Sequence, residues 1–192
     1  MDPMMLDRRE LVRQLLIDRG DLLVVSGLGS ATYDTAAAGD HPLNFYLWGA
    51  MGGTAMIGLG LALAQPHKRV AVLTGDGDML MGLGSLATIG VKQPKNLAIV
   101  VLDNAHYGET GMQASHTHSG IDLVAVALAC RFKHARAMSR IEEAADVRKL
   151  LHAREGPILV SARISEEDVP RVLPIRDGHA IKQRFMAALN SA

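Results

Sequence analysis

Arg69-Val-Ala-Val-Leu-Thr74-Gly-Asp-Gly-Asp78-Met-Leu-Met81 runs from an unbroken apolar stretch into alternating glycines and acids, and from there into a second apolar period. Residues 69–74 read as a strand covered on both faces, because consecutive apolar side chains point to opposite sides of a sheet and all need cover. The Gly-Asp-Gly that follows leaves little room for side chains and opens a helix, expected from about Met79 to Val91. Glycines at such a point let backbone N–H groups come close to an anion at the helix start. An aspartate between them would repel a phosphate unless a cation lay between the two. Mg²⁺ resolves the conflict: it takes about six oxygen ligands, keeps water, and is held by one or two protein carboxylates together with phosphates. A tight turn alone also accounts for Gly75-Asp76-Gly77, so the motif needs support from elsewhere in the chain.

Outward from this stretch the same alternation recurs. Apolar positions from Leu6 to Ile17 have helical spacing and stop at Gly20; Asp21-Leu-Leu-Val-Val-Ser26 then reads as a strand. A Gly-rich helix is expected at roughly Gly52 to Ala64, a strand at Asn96 to Leu102, helices at Ile121 to Ala129 and Ile141 to Ala153, a strand at Gly156 to Ile164, and a terminal helix around Ala180 to Leu189. Apolar strands alternating with helices predict a doubly wound α/β domain with a mainly parallel sheet and helices on both faces, one domain over residues 1–192. Ligands of such sheets bind beyond the carboxyl ends of the strands. The loops after Ser26, Thr74 and Leu102 lie there, and Asn104 to Gly120 is long, polar and without period, as functional loops are.

Composition narrows the partners. Twenty basic and twenty acidic residues cancel, and neither sign forms a long run, so neither nucleic acid nor a membrane surface is expected to bind. The N-terminal MDPMMLDRRELVRQLL has no signal-peptide core and no apolar run spans a bilayer, so a cytoplasmic protein is expected. Cys130, the only cysteine, ends an apolar run and is expected to be a buried structural thiol. Gly27-Leu-Gly29-Ser30 follows a strand and could donate to a phosphate, but it fails as a dinucleotide fingerprint because position 32 is Thr.

Leu102-Asp103-Asn104-Ala-His106-Tyr107-Gly108 supplies the support. Asn104 follows Asp76 by 28 residues, across one helix and one strand, so a single βαβ unit would set the two loops side by side. The pairing of Gly75-Asp76-Gly77-Asp78 with Asp103-Asn104 resembles the thiamine diphosphate (TPP) fingerprint, a GDG turn followed by an asparagine pair, with Asp103 in place of the first asparagine. The resemblance implies Mg²⁺ held by the side chains of Asp76 and Asn104 and by the backbone carbonyl of His106, whose imidazole is not implied as a ligand. It extends the cofactor site to Gly29, Ser30, Gly75, Gly77, Asp78, Tyr107 and Gly108. Leu47-Trp-Gly49-Ala-Met51-Gly52 is similar to the segment that cradles the aminopyrimidine. There the Gly49 carbonyl would accept from the 4′-amino group and Met51 would be the wedge that bends the cofactor, which brings the 4′-imino nitrogen to the thiazolium C2 proton.

Further segments widen the likeness over nearly the whole chain: Asn44-Phe-Tyr, Gly58-Leu-Gly-Leu-Ala-Leu63, Leu86-Ala-Thr-Ile89, Thr110-Gly111 with Gln113, and His116-Thr117. Together they resemble the TPP-binding subunit of sulfopyruvate decarboxylase and the corresponding domain of phosphonopyruvate decarboxylase. The resemblance implies a 2-oxo acid decarboxylase with TPP and Mg²⁺ as cofactors and an acidic 2-oxo acid as substrate. His116 and His118 then become candidates to bind the substrate's anion or to move a proton. Glu109 departs from the pattern, since a small polar residue is expected beside Thr110 and an added carboxylate would repel an acidic substrate. The glutamate that such enzymes place against the pyrimidine N1′ belongs to a second domain for which the chain has no room. A separate pyrimidine-binding subunit is therefore expected, in a homodimer or hetero-oligomer, with the chain inactive alone. A carboligase or oxidoreductase subunit and a non-catalytic TPP-binding protein stay open as alternatives.

Overall fold

The computed structural model describes residues 5–167 and 169–191. Its sheet has six parallel strands in the order β2-β1-β3-β4-β8-β7: β1 (Leu23–Ser26), β2 (Asn44–Tyr46), β3 (Val70–Gly75), β4 (Leu97–Asp103), β7 (His134–Met138) and β8 (Ile158–Arg163). A separate antiparallel pair, β5 (His106–Tyr107) and β6 (Gln113–Ala114), stands in the long loop that was read as aperiodic. Helices α1 (Arg8–Leu15), α2 (Ser30–Ala37) and α7 (Ala144–His152) lie on one face. The other face carries α3 (Thr54–Ala64), α4 (Asp76–Met81), α5 (Ser85–Lys92), α6 (Leu123–Ala129) and Phe185 of α8 (Gly178–Ser191). The doubly wound, parallel α/β expectation holds.

Period-two alternation in the central strands assigns each side chain to a face. Ala71 and Leu73 of β3, with Ala98, Val100 and Leu102 of β4, pack against α1 and α7. Val70, Val72, Leu97, Ile99 and Val101 pack on the opposite side with Leu59, Leu86 and Ile89. Both strands are buried along their lengths, which is why they read as continuous apolar runs.

Several elements differ from expectation for local reasons. The helix expected from Met79 to Val91 is two, α4 and α5, because the chain turns through Gly82-Leu-Gly84. The helix begun near Ile141 starts as a 3₁₀ turn over Ile141–Glu143. The first helix stops at Leu15, before Asp18 and Gly20 take left-handed conformations (φ 51 and 55). Edge strands β2 and β7 escaped the reading: one is three residues long, the other is the half-buried HARAM, and an outer strand need not be apolar on both faces. Cys130 is half-buried rather than enclosed. No helix among the described residues is long and apolar enough to cross a membrane, and Met1 to Met4 of the segment read above for a leader lie outside them.

Two glycines of α3 give a test of the packing. A Cβ on Gly58 would overlap Cγ2 of Val72, whereas one on Gly60 would meet nothing within 4 Å. Gly58→Ala should destabilise the protein by about 1–3 kcal/mol through overpacking. Gly60→Ala should be neutral or stabilising by up to about 1 kcal/mol. Urea unfolding of both variants checks the pair.

Candidate cofactor and metal site

β3 and β4 deliver the two decisive turns. Gly75 and Leu102 are register partners at the carboxyl edge, so Asp76 and Asp103-Asn104 leave the sheet side by side. The chain order reverses between β1 and β3, and the loop after β1 closes the same edge with Gly29 capping α2. Such a reversal opens a crevice between neighbouring loops.

An open cleft of about 600 Å³ lies there. Of the residues singled out in the sequence, Ser30, Met51, Gly75, Asp76, Gly77, Asp78, Asn104, His106, Tyr107 and Gly108 line it. Gly29 is one residue outside, and its backbone lies against the Glu109 side chain, with the position of a Cβ only 2.5 Å from Oε1. Gly49 is exposed and not part of the lining. Neither exposed histidine reaches the wall: His116 meets Tyr107 Oη through Nδ1 at 3.2 Å, and the His118 ring stands edge-on to His106 with centroids 5.5 Å apart. These two are connected to the cleft through cleft-lining partners.

Asp76 is 1% exposed. Its Oδ2 accepts from Ser115 Oγ at 2.5 Å, and Thr117 Oγ1 lies 3.3 Å away with its one hydrogen given to the closer Asp103. Burial raises its pKa, the Ser115 hydroxyl opposes that shift, and the Asp103 carboxylate nearby adds to it. Asp103 has stronger company: its Oδ1 accepts from Ala105 N (2.9 Å) and Thr117 Oγ1 (2.8 Å), and faces Arg163 at 3.4 Å. Asp78 differs again, accepting from Gly52 N and Thr74 Oγ1, so this carboxylate braces the turn although it also lines the cleft. Of these three acids Asp76 is the one whose pKa burial raises, with a second acid nearby, an arrangement that favours either protonation or a cation.

Asn104 stands beside it. Its Oδ1 accepts His106 N–H at 3.0 Å and has a second lone pair available. The His106 imidazole is engaged elsewhere, with Nδ1 3.0 Å from Asn104 O and 3.4 Å from Glu166. Among the described residues no group of three or more His, Cys, Asp or Glu converges on a point. One carboxylate, one amide oxygen and backbone oxygen suit a hard cation that keeps waters and takes phosphate oxygens, and do not suit zinc.

Sequence reasoning missed Ser115 as a partner of Asp76, and missed Arg8. Ser115 and Thr117 alternate along the loop and turn both hydroxyls to the Asp76–Asp103 pair, a two-residue spacing legible in the sequence. Arg8 had no local signal: it enters the cleft from α1, held 3.2 Å from the fully buried Asp34. Glycine at position 77 is explained by the fold, since a Cβ there would lie 2.6 Å from the Tyr107 ring and 3.3 Å from Met51 Cε.

Residues 27–162 match the model for the C-terminal TPP-binding domain of thiamine pyrophosphate enzymes. The chain belongs to this family. It is 36% identical over 188 residues to sulfopyruvate decarboxylase subunit beta of Methanococcus maripaludis, covering 97% of this chain and 99% of that one. It is 38% identical over 172 residues to phosphonopyruvate decarboxylase of Streptomyces viridochromogenes, covering 87% of this chain but only 42% of that longer protein. Among solved structures, the thiamine diphosphate-dependent 4-hydroxybenzoylformate decarboxylase of Rhodococcus jostii superposes with a TM-score of 0.71 at 20% identity, over 88% of this chain and 34% of that one. At that identity the likeness is one of fold.

The residues fit a TPP–metal group, because the buried Asp76 carboxylate and the Asn104 amide oxygen share one cleft wall with backbone oxygen, the hard donor set that a cation takes beside a diphosphate. Its raised pKa makes the ionised form a cost to the ligand-free fold, one that sets in as pH rises past the ordinary value of 3.8. Asp76→Asn should therefore raise the melting temperature of the ligand-free protein near neutral pH, by about 2–4 °C for each kcal/mol recovered. The gain should vanish in acid, where both side chains are neutral. Thermal melts across pH, with and without TPP and Mg²⁺, check this; the variant should also lose the stabilisation that the two ligands together give wild type.

Proposed function

We propose that this chain is the TPP- and Mg²⁺-binding subunit of a 2-oxo acid decarboxylase whose site is completed by a separate pyrimidine-binding chain. The observation that carries the reading is the convergence of Asp76, Asn104, His106 and Met51 on one cleft, with the Asp76 carboxylate buried in its wall. Relatives named as sulfopyruvate decarboxylase beta subunits match over nearly their full length, which supports both the activity class and the need for a second chain.

In this reading Asp76, Asn104 and the His106 carbonyl hold Mg²⁺. The Gly75–Gly77 turn, Gly29 and Ser30 receive the diphosphate with backbone N–H groups and one hydroxyl. The chemistry that TPP supplies when bound is stabilisation of the electron pair released as CO₂ leaves a 2-oxo acid. Gly49, exposed beside the cleft, would orient the pyrimidine through its carbonyl only where the cofactor extends past the lining, and Met51 would exclude water and support the cofactor from the cleft wall. Tyr107, hydrogen-bonded to His116, is placed to hold a proton at its hydroxyl on the cleft wall.

Two features support placing the rest of the machinery on a partner. The outer side of α3–α5 exposes Met56, Leu63, Met81 and Val91, the last 73% exposed. It adjoins the Met51 turn where Met81 Cβ lies 3.2 Å from the Cβ position of Gly52. A solvated helix face is ordinarily charged, so an apolar one next to an open site suits a second subunit. The outer extension of the cleft sets Glu109, Glu166 and Glu167 against Arg8 and Arg171, a poor receptor for a second anionic group on the substrate.

The test is an assay of the purified chain with TPP, Mg²⁺ and a panel of sulfonated, phosphonated and plain 2-oxo acids, alone and with a candidate pyrimidine-binding subunit. CO₂ release is expected only with both chains, and should be lost when the partner's glutamate is replaced by Gln. Turnover by this chain alone would overturn the half-site reading, and carboligation or electron transfer without net decarboxylation would replace the reaction class.

Glu109 supplies a separate check. Its carboxylate lies at the start of α2, where the diphosphate is expected, so Glu109→Gln should tighten binding of TPP with Mg²⁺ by up to about tenfold at low salt. Titration calorimetry at two ionic strengths measures it, and the gain should shrink as salt is added.

A further inference from the structure

We propose that Asp78 is a positioning residue, whose carboxylate ties the Met51-Gly52 turn to the Gly75-Asp76-Gly77 turn so that the two halves of the cofactor seat move as one body. The inference rests on reading the cleft as a TPP site.

The turn that carries Met51 is not one the chain adopts freely. Ala50 and Gly52 both take left-handed conformations, with φ of 58 and 90, and Gly53 N–H closes back on Ala50 O at 2.8 Å. A left-handed alanine is disfavoured because its Cβ crowds the following carbonyl, so such a turn persists only where its surroundings hold it. Asp78 is what holds it. Buried in the first turn of α4, it accepts Gly52 N–H with Oδ1 and the Thr74 hydroxyl with Oδ2.

Other contacts converge on the same carboxylate. A Cβ on Gly27, in the loop after β1, would lie 2.9 Å from Asp78 Oδ2 and 2.9 Å from Thr74 Oγ1, so that loop leaves the space the brace occupies. Met51 reaches back in the opposite sense, its Cε 3.3 Å from the Cβ position of Gly77. Residues 51–52 and 77–78 are thus joined by a hydrogen bond to the backbone, and the Met51 side chain occupies the space that a side chain at position 77 would need. Next to a diphosphate the charge of Asp78 is unfavourable, so a neutral residue would serve the phosphate better. Aspartate is favoured here because two acceptor oxygens span from Gly52 to Thr74, and a hydrogen bond to an ionised group is the stronger kind.

The experiment compares Asp78→Ala and Asp78→Asn in the full chain. Amide hydrogen exchange at Gly52 is read in the free protein. Affinity for TPP with Mg²⁺ and hydrogen–deuterium exchange at the cofactor C2 are read at saturation with the second subunit. Asp78→Ala should expose the Gly52 amide and slow C2 exchange about tenfold while changing TPP affinity far less, since a wedge displaced by a fraction of an ångström misaligns the reacting atoms. Asp78→Asn should restore both, because its Oδ1 still accepts from Gly52 and its Nδ2 can donate to Thr74 Oγ1. Adding Met51→Ala to Asp78→Ala should slow C2 exchange little further, as expected for residues acting through one another. If the alanine variant does not fold, Asp78→Ser, too short to span both partners, takes the same measurements. Unchanged Gly52 exchange, or wild-type C2 exchange with Gly52 exposed, overturns the tether. Failure of wild type to bind TPP with Mg²⁺ overturns the cofactor reading itself.

Discussion

Six residue pairs between β3 and β4, from Val70 with Leu97 to Gly75 with Leu102, run in parallel register and end together at one edge of the sheet. Everything the site contains hangs on that alignment. A slip of β3 by one residue would turn Val72 away from Leu59 and Leu86 and bring Leu73 to that face in its place, mispacking both sides of the sheet. The same slip would carry Asn104 away from Asp76. Core packing and site geometry are thus fixed by a single constraint, and the reversal of strand order between β1 and β3 then leaves a crevice beside it for the Gly29-Ser30 loop.

Asp76, Asp78, Asp103 and Glu109 stand together at this edge, and two of them have strong local partners. Asp103 has an arginine, a backbone N–H and a hydroxyl. Asp78 has a backbone N–H and a hydroxyl from two different loops. Glu109 is exposed and packs on Gly29, where the first backbone N–H groups of α2 lack a side-chain cap. Asp76 alone sits among hydroxyls with a second acid nearby, and burial raises its pKa. The acid at this edge whose pKa burial raises is the one aligned with Asn104, and that coincidence, rather than the Gly-Asp-Gly triplet, makes the cleft a metal site in the proposed reading.

The fold was legible where burial is symmetrical and illegible where it is not. β3 and β4, covered on both faces, announce themselves as apolar runs; β2 and β7 are edge strands in which Asn44 and the charged Arg136 interrupt any such run. The motif turns could be read because Gly75, Asp76, Gly77 and Asn104 carry their chemistry in short segments. What could not be read depends on distance along the chain. Ser115 reaches Asp76 across 39 residues, Asp78 reaches Gly52 across 26, and Arg8 enters from the first helix. The sequence also could not say which way a side chain turns: Asp78 was grouped with the cofactor residues, and its oxygens face the Met51 turn. Glu109 stands out as an anomaly of charge, and the structure places its side chain against Gly29 at the start of α2.

The distribution of cations bears on where substrate selectivity resides. Arg8 is buried and committed to Asp34, whose own pKa burial raises despite that partner. Arg171 lies over the Tyr33 ring at 5.6 Å, and it shares the outer cleft with Glu109, Glu166 and Glu167. Such a wall attracts no second anion, yet the relatives' names specify sulfonated and phosphonated acids. Within the proposed function the missing positive charge must come from the chain that covers Met51 and the apolar side of α3–α5. Cofactor anchoring and substrate choice would then be divided between the two subunits: the metal and diphosphate held by a rigid edge of this sheet, and the acid selected by whatever the partner presents across the open side of the cleft.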